Sequence, residues 1–261
     1  MIPKVIHYCW FGRNALPPLA IKCIESWKKY LPDYEIKEWN EDNFDVNIIP
    51  YTSEAYQAKK YAFVSDYARF WILYNYGGLY FDTDVEVIKP MDDIIKRGAF
   101  MGLERDYNPK IGANTCNTVA PGHGLGCNPG LGLGCNPGLG LYKKIIDLYQ
   151  SLHFNNSDGT INLKTVVDYT TEFLKEEGLK NIPGIQKVGD IYIYPSEYFC
   201  PINITSKRLH ITPNTYTIHH YMASWTNKNI KWYIKNILRK FIPEYLLLKY
   251  NKLKNKVYIQ F

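Results

Sequence analysis

The chain has 261 residues, 46% of them hydrophobic, which is enough for the core of one sizeable α/β domain and too apolar for a disordered chain. Its net charge of +6 is unevenly placed: residues 228–261 hold nine Lys or Arg against the single acid Glu244, so this tail carries +8 and the rest of the chain −2. A nucleic-acid binder needs its basic face on the folded part, so that class is excluded. The six cysteines show no C-x-x-C spacing, which argues against a zinc site, and no run of about 20 apolar residues is available to span a membrane.

Residues 3–10, PKVIHYCW, read as a buried first strand and not as a signal peptide, so a cytoplasmic protein with reduced thiols is expected. Pro17-Pro18 opens a helix with Leu19, Cys23, Ile24 and Trp27 at helical spacing. A second strand, EIKEW at 35–39, closes at Asn40. Helices are predicted over 53–60 and 63–74, the second stopping at Asn75-Tyr76-Gly77-Gly78. The apolar run 77–81 then delivers Asp82-Thr83-Asp84, and a further strand-like run covers 85–88. This βαβα order predicts an α/β fold: a single Rossmann-like domain with a mostly parallel sheet and helices on both faces. Ligands of such sheets bind at the carboxyl ends of the strands, where Trp10, Asn40, Asp82 and Asp84 fall.

Residues 106–140 read as loop-rich and contain an identical tandem repeat, LGCNPGLG, at 125–132 and 133–140. Two copies are too few for a solenoid, so duplication within a tolerant loop is expected, with a mobile lid as the alternative. Helices are predicted over 141–152 and 163–177, and strands over 188–194 and 215–220. The domain is expected to span residues 1–227. From 228 the pattern becomes a basic amphipathic helical tail, with Ile230, Ile234, Ile237, Leu238 and Phe241 on one stripe and Lys231, Lys235 and Arg239 on another. Such a helix can lie on an anionic membrane surface, each basic residue contributing about 1 kcal/mol. The alternative is a C-terminal helix packed on its own domain.

Asp82 and Asp84 share one side of the strand if it stays extended. Carboxylates this close repel one another, and a hard divalent cation of the kind shared with substrate phosphates removes the penalty. An isolated D-x-D is commonplace in turns, so its surroundings decide. Asp66 and Arg69 lie three apart on one helix face, placed either to hold a sugar hydroxyl and a phosphate or to form a buried structural salt bridge. Near the other end, His219 and His220 point to opposite faces of a strand, so only one of them can join the aspartates at a metal.

The segments IPKVIHYCWFG, FVSDYARFWILYNYGGLYFDTDVEVIKP and IHHYMASW together resemble glycosyltransferase family 32, which includes bacterial capsular-polysaccharide enzymes and fungal mannosyltransferases. They are more distantly similar to the glucosyltransferase domain of the large clostridial toxins. The resemblance implies a GT-A fold, a nucleotide-sugar donor such as a UDP-linked hexose, Mn²⁺ or Mg²⁺, and retention of anomeric configuration. It implies that Trp10 stacks on the base, that Asp66 and Arg69 bind the donor sugar, and that Tyr80 lines the donor site. Asp82 would contact the donor and, through water, the metal. Asp84 would ligate the metal, with His220 as the C-terminal ligand and His219 as the alternative, and Trp225 would cap the diphosphate. With the basic tail, this suggests a lipid-linked saccharide acceptor at the inner face of the cell membrane, in capsule or exopolysaccharide synthesis. Two other readings are a phosphotransferase with an aspartate nucleophile, whose DxDx(T/V) pattern Glu86 breaks, and a catalytically silent sugar-binding module.

Overall fold

The computed structural model describes residues 1–106, 126–162, 164–203 and 206–222, with residues 242 and 246 beyond them. Trp225 and the body of the 228–261 tail lie outside the described residues. In chain order the elements are β1 (Val5–Cys9), α1 (Pro18–Tyr30), β2 (Glu35–Trp39), α2 (Pro50–Gln57), α3 (Tyr61–Tyr76), β3 (Gly78–Tyr80), β4 (Val85–Val87) and α4 (Asp92–Arg97). They continue as β5 (Ala99–Arg105), β6 (Gly126–Cys135), α5 (Gly140–Gln150), α6 (Val166–Glu176), β7 (Gln186–Val188), β8 (Ile191–Tyr194), α7 (Ser196–Phe199) and β9 (Thr217–His219).

Seven strands form one sheet in the order β2-β1-β3-β6-β5-β8-β7. β2, β1, β3, β5 and β8 run the same way, while β6 and the edge strand β7 are reversed. The mostly parallel α/β sheet read from the sequence is therefore present. β4 and β9 form a separate antiparallel pair, with Val85 opposite His219. One core layer packs α2, α3, α5 and α6 on the sheet through residues such as Tyr67, Phe70, Tyr142 and Tyr149. The other holds α1 and the β4–β9 pair through Trp27, Phe81, Phe100 and Phe199.

Local sequence explains how the site is delivered. Pro18 starts α1, and Ala20, Cys23, Ile24 and Trp27 form its buried stripe. The Trp27 indole donates to the Val85 carbonyl at 2.8 Å, which ties α1 to β4. α3 ends at Gly77 with φ +65°, and Gly78 follows at φ +94°. A Cβ on Gly78 would lie 2.6 Å from the Val5 carbonyl oxygen, so only glycine lets β3 dock against β1.

The expectation of loop over residues 106–140 fails for 126–135. These residues form β6, a buried strand between β3 and β5. Apolar residues at 127, 131, 133 and 135 keep a period of two that the Gly and Pro density conceals. A tolerant loop or lid is thereby replaced by a core strand over those residues.

Candidate active site

The D-x-D does not sit on an extended strand. β3 ends at Tyr80, and the Val85 N–H donates to the Asp82 carbonyl at 3.0 Å, closing a tight turn over Asp82, Thr83 and Asp84. The turn still converges the two carboxylates. Ligand atoms of Asp82, Asp84 and His219 all lie within 4.8 Å of one another, and this is the one such His/Cys/Asp/Glu group among the described residues.

Asp84 is buried and held from three directions. Its Oδ1 is 3.2 Å from His219 Nε2, its Oδ2 accepts the Met222 N–H at 2.6 Å, and its carbonyl accepts the His220 N–H at 3.0 Å. Burial alone would raise its pKa, but His219 and the Met222 N–H outweigh that and hold it at about 2. Burial works against protonation of His219, yet Asp84 draws it well above the usual imidazole range. His220 takes another partner: its Nε2 is 2.8 Å from Glu86 Oε2, which also pairs with Lys22. Of the two candidate histidines, the structure brings His219 to the aspartates and turns His220 to the outer side of β4.

Asp82 faces the α3 side. Its Oδ1 accepts from the Tyr80 hydroxyl at 3.1 Å and lies 3.3 Å from Arg69 Nη2. The same Arg69 nitrogen reaches Asp66 Oδ1 at 3.0 Å. Arg69 is fixed further by its Nε–H to the Ser65 carbonyl at 3.0 Å, and its guanidinium lies 5.1 Å from the Tyr80 ring centroid. Its side chain is only 4% exposed, so one buried cation is shared by the buried Asp66 and the partly exposed Asp82. For Asp66, burial outweighs Arg69 and pushes the carboxyl up to about 7, with Asp82 adding to the rise. Asp66, Arg69, Tyr80 and Asp82 thus form one connected wall beside Asp84 and His219.

Trp10 stands half-buried just beyond β1, its indole donating to the Asn14 carbonyl at 2.6 Å, and its N–H is bonded to the Trp39 carbonyl at 2.8 Å. Trp225 lies outside the described residues. Sequence reasoning missed Asn128, Gly130 and Glu104, which close the site from β6 and β5. Asp82 donates its N–H to the Gly130 carbonyl at 3.0 Å, and a Cβ on Gly130 would lie 1.8 Å from Asp82 Oδ2. The period-two pattern in 127–135 was the available signal for this strand.

Residues 17–101, which contain Asp66, Arg69, Tyr80, Asp82 and Asp84, match the family model for a glycosyltransferase sugar-binding region containing DXD motif. Among curated relatives, inositol phosphoceramide mannosyltransferase 1 of Schizosaccharomyces pombe is 30% identical over 111 residues, covering 38% of this chain and 33% of the relative. An uncharacterized glycosyltransferase of Acanthamoeba polyphaga mimivirus is 29% identical over 233 residues, 86% of this chain and 84% of that protein. The chain spans about a third of the length of the fission-yeast mannosyltransferases it matches. The PaToxG glycosyltransferase structure is similar at 21% identity and a TM-score of 0.47, over 68% of this chain and 70% of that one. The galactosyltransferase LgtC structure is similar at 15% identity and a TM-score of 0.43, over 92% and 98%. Residues 17–101 are thus similar to a DXD-containing sugar-binding region, and the chain is similar in sequence to glycosyltransferases.

Proposed function

We propose that the chain is a metal-dependent glycosyltransferase of the GT-A type, moving a hexose from a nucleotide sugar to a hydroxyl of a saccharide acceptor with retention of configuration. The observation that carries this reading is the convergence of Asp82 and Asp84, both inside the matched sugar-binding region, with His219 from beyond it, beside the buried Asp66–Arg69 pair. Two carboxylate oxygens and one imidazole nitrogen are a donor set that suits Mn²⁺, and Mg²⁺ through the carboxylates, so these residues fit a divalent ion. Asp84 and His219, with Asp82 beside them, would hold the ion. A divalent ion held there would supply positive charge to offset that of the departing diphosphate.

The chain's own residues do the rest. Arg69 pairs with both Asp66 and Asp82 and fixes their carboxylates. Asp66, with its pKa near neutrality, can accept or donate the hydrogen bond that orients a sugar hydroxyl of the donor. Tyr80 fixes the rotamer of Asp82. Front-face attack requires no residue nucleophile, and both nearby carboxylates of this wall are already engaged with Arg69. The acceptor hydroxyl then passes its proton to the leaving diphosphate oxygen. Nothing in the geometry favours the phosphotransferase alternative, because Asp82 is held by Tyr80 and Arg69 where that chemistry needs a free nucleophile.

A UDP-linked hexose is the first donor to test, and a mannosyl donor the second, since similar yeast proteins are mannosyltransferases. The acceptor suggested by the basic tail is a lipid-linked saccharide at the inner membrane face, in capsule or exopolysaccharide synthesis. No helix among the described residues is long and apolar enough to cross a membrane. The test is release of nucleoside diphosphate from a panel of nucleotide sugars, with Mn²⁺ and with EDTA. Metal-dependent release supports the proposal, and no release from any donor under either condition contradicts it.

A further inference from the structure

The tandem repeat has no role in the function above, yet its two copies have unlike surroundings. Asn128 of the first copy is buried, whereas Asn136 at the same place in the second is exposed. Gly130 presses on Asp82 and Arg69, whereas its counterpart Gly138 has open space around it. The second copy completes β6 with residues 133–135 and only then turns into α5, with the Gly138 N–H donating to the Tyr74 carbonyl at 2.7 Å.

The first copy is a break in strand pairing. On β5, Gly102 pairs with Asn128 and Met101 with Leu133, so residues 129–132 are passed over and bulge out of the ladder. That bulge covers the D-x-D turn, and its Gly130 carbonyl receives the Asp82 N–H. A second irregularity lies beside it. Leu103 pairs with Cys127 and Arg105 with Gly126, which leaves Glu104 as the extra residue of a β-bulge. Bulges re-aim side chains, and this one sends the Glu104 carboxylate to a buried position. Its side chain is 6% exposed, its Oε1 is 2.8 Å from Arg105 Nη1, and its Oε2 accepts from Asn128 Nδ2 at 2.9 Å. Asn128 Oδ1 in turn accepts the Gly130 N–H at 2.8 Å. A chain of contacts therefore runs from Glu104 through Asn128 and Gly130 to Asp82.

We propose that Glu104 and Asn128 are positioning residues that lock the 129–132 bulge onto Asp82, and that the Asn-Pro-Gly of the first copy is a working part of the site while the same three residues of the second copy form a connecting turn. The inference rests on the metal-site reading above. A buried carboxylate paired with both Arg105 and an amide is a rigid anchor, and the amide's two ends join the anchor to the bulge. Loss of this outer support costs roughly ten- to a hundredfold in metal affinity or turnover.

The test uses the full chain and Mn²⁺ alone as probe, with affinity read by electron paramagnetic resonance, alongside turnover of whichever donor the panel identifies. Asn128→Ala and Glu104→Ala are expected to lose roughly tenfold or more in Mn²⁺ affinity or in kcat. Asn136→Ala, in the same octapeptide sequence, is expected to change neither. Glu104→Gln keeps an acceptor for Asn128 and is expected to recover most of the loss. If Asn128→Ala fails to fold, Asn128→Asp serves instead: it keeps the volume and the Gly130 acceptor but loses the donor to Glu104. Equal effects of Asn128→Ala and Asn136→Ala overturn the proposal. So does a Glu104→Gln variant as inactive as Glu104→Ala at unchanged Mn²⁺ affinity, which would mean that Glu104 touches substrate. A parent protein that binds no Mn²⁺ overturns the metal-site reading and this inference together, whereas loss in Asp84→Ala without loss in Asn128→Ala overturns only the inference.

Discussion

Replacing Arg69 with Met keeps most of the side chain's volume and removes the one cation shared by Asp66 and Asp82. The guanidinium is 4% exposed, 3.0 Å from Asp66 and 3.3 Å from Asp82, so its loss strands a buried carboxylate and also removes the bond to Ser65. Breaking a buried pair on one side costs about 3–5 kcal/mol, and that is the expected loss at neutral pH. The pH dependence follows from Asp66, whose folded pKa of about 7 lies above its unfolded value of 3.8. A raised folded pKa means that the folded state binds the extra proton, so stability falls as pH rises from 3.8 through 7 in the parent. Without Arg69 the folded pKa moves higher, and the fall continues past 7 at up to about 1.36 kcal/mol per pH unit. Urea unfolding followed by tryptophan fluorescence at about pH 6, 7 and 8.5 measures this, with the slope m expected to be unchanged. The variant's deficit should grow with pH, and adding Asp66→Asn should flatten that growth. A deficit under about 1 kcal/mol, or one that shrinks as pH rises, refutes the reasoning.

Three further outcomes follow from the site. His219→Ala should lower Mn²⁺ affinity by at least tenfold, while His220→Ala, which loses only a contact to the partly exposed Glu86, should leave it within about twofold; isothermal titration compares them. Because Asp84 draws His219 above the usual imidazole range, metal binding must displace a proton, so affinity rises with pH and about one proton is released per ion near neutrality. Titration in buffers of different ionisation enthalpy counts it. Deleting residues 228–261 should reduce sedimentation with anionic vesicles; equal sedimentation of the truncated and full chains would give the tail another task.

The sequence was most legible where pattern and punctuation agreed. The strand at 35–39 is reproduced in full, and the helix opened by Pro17-Pro18 runs as expected from Pro18. Asp66 and Arg69, three apart on a helical face, meet as that spacing requires. The remainder was hidden for physical reasons. Glycine and proline signal loops, so the strand at 126–135 was read as one, although its glycines are there because Gly130 and Gly134 meet Asp82 and Phe100 too closely for any Cβ. The D-x-D forms a turn where extended geometry was assumed. The choice between His219 and His220 depends on where β9 ends against β4, a matter of tertiary register that adjacent identical residues cannot encode. Glu104 owes its direction to a bulge, and no local pattern announces one.

Asp82, Asp84 and His219 are proposed to hold a divalent ion for glycosyl transfer. The most direct measurement is nucleotide-sugar cleavage by the parent and Asp84→Ala proteins across a Mn²⁺ titration, with circular dichroism to verify folding. Cleavage is expected to rise with Mn²⁺ in the parent, to be lost with EDTA, and to fall by about a hundred- to a thousandfold in a folded Asp84→Ala protein. Near-parental cleavage by Asp84→Ala, or cleavage by the parent that ignores EDTA, would contradict it.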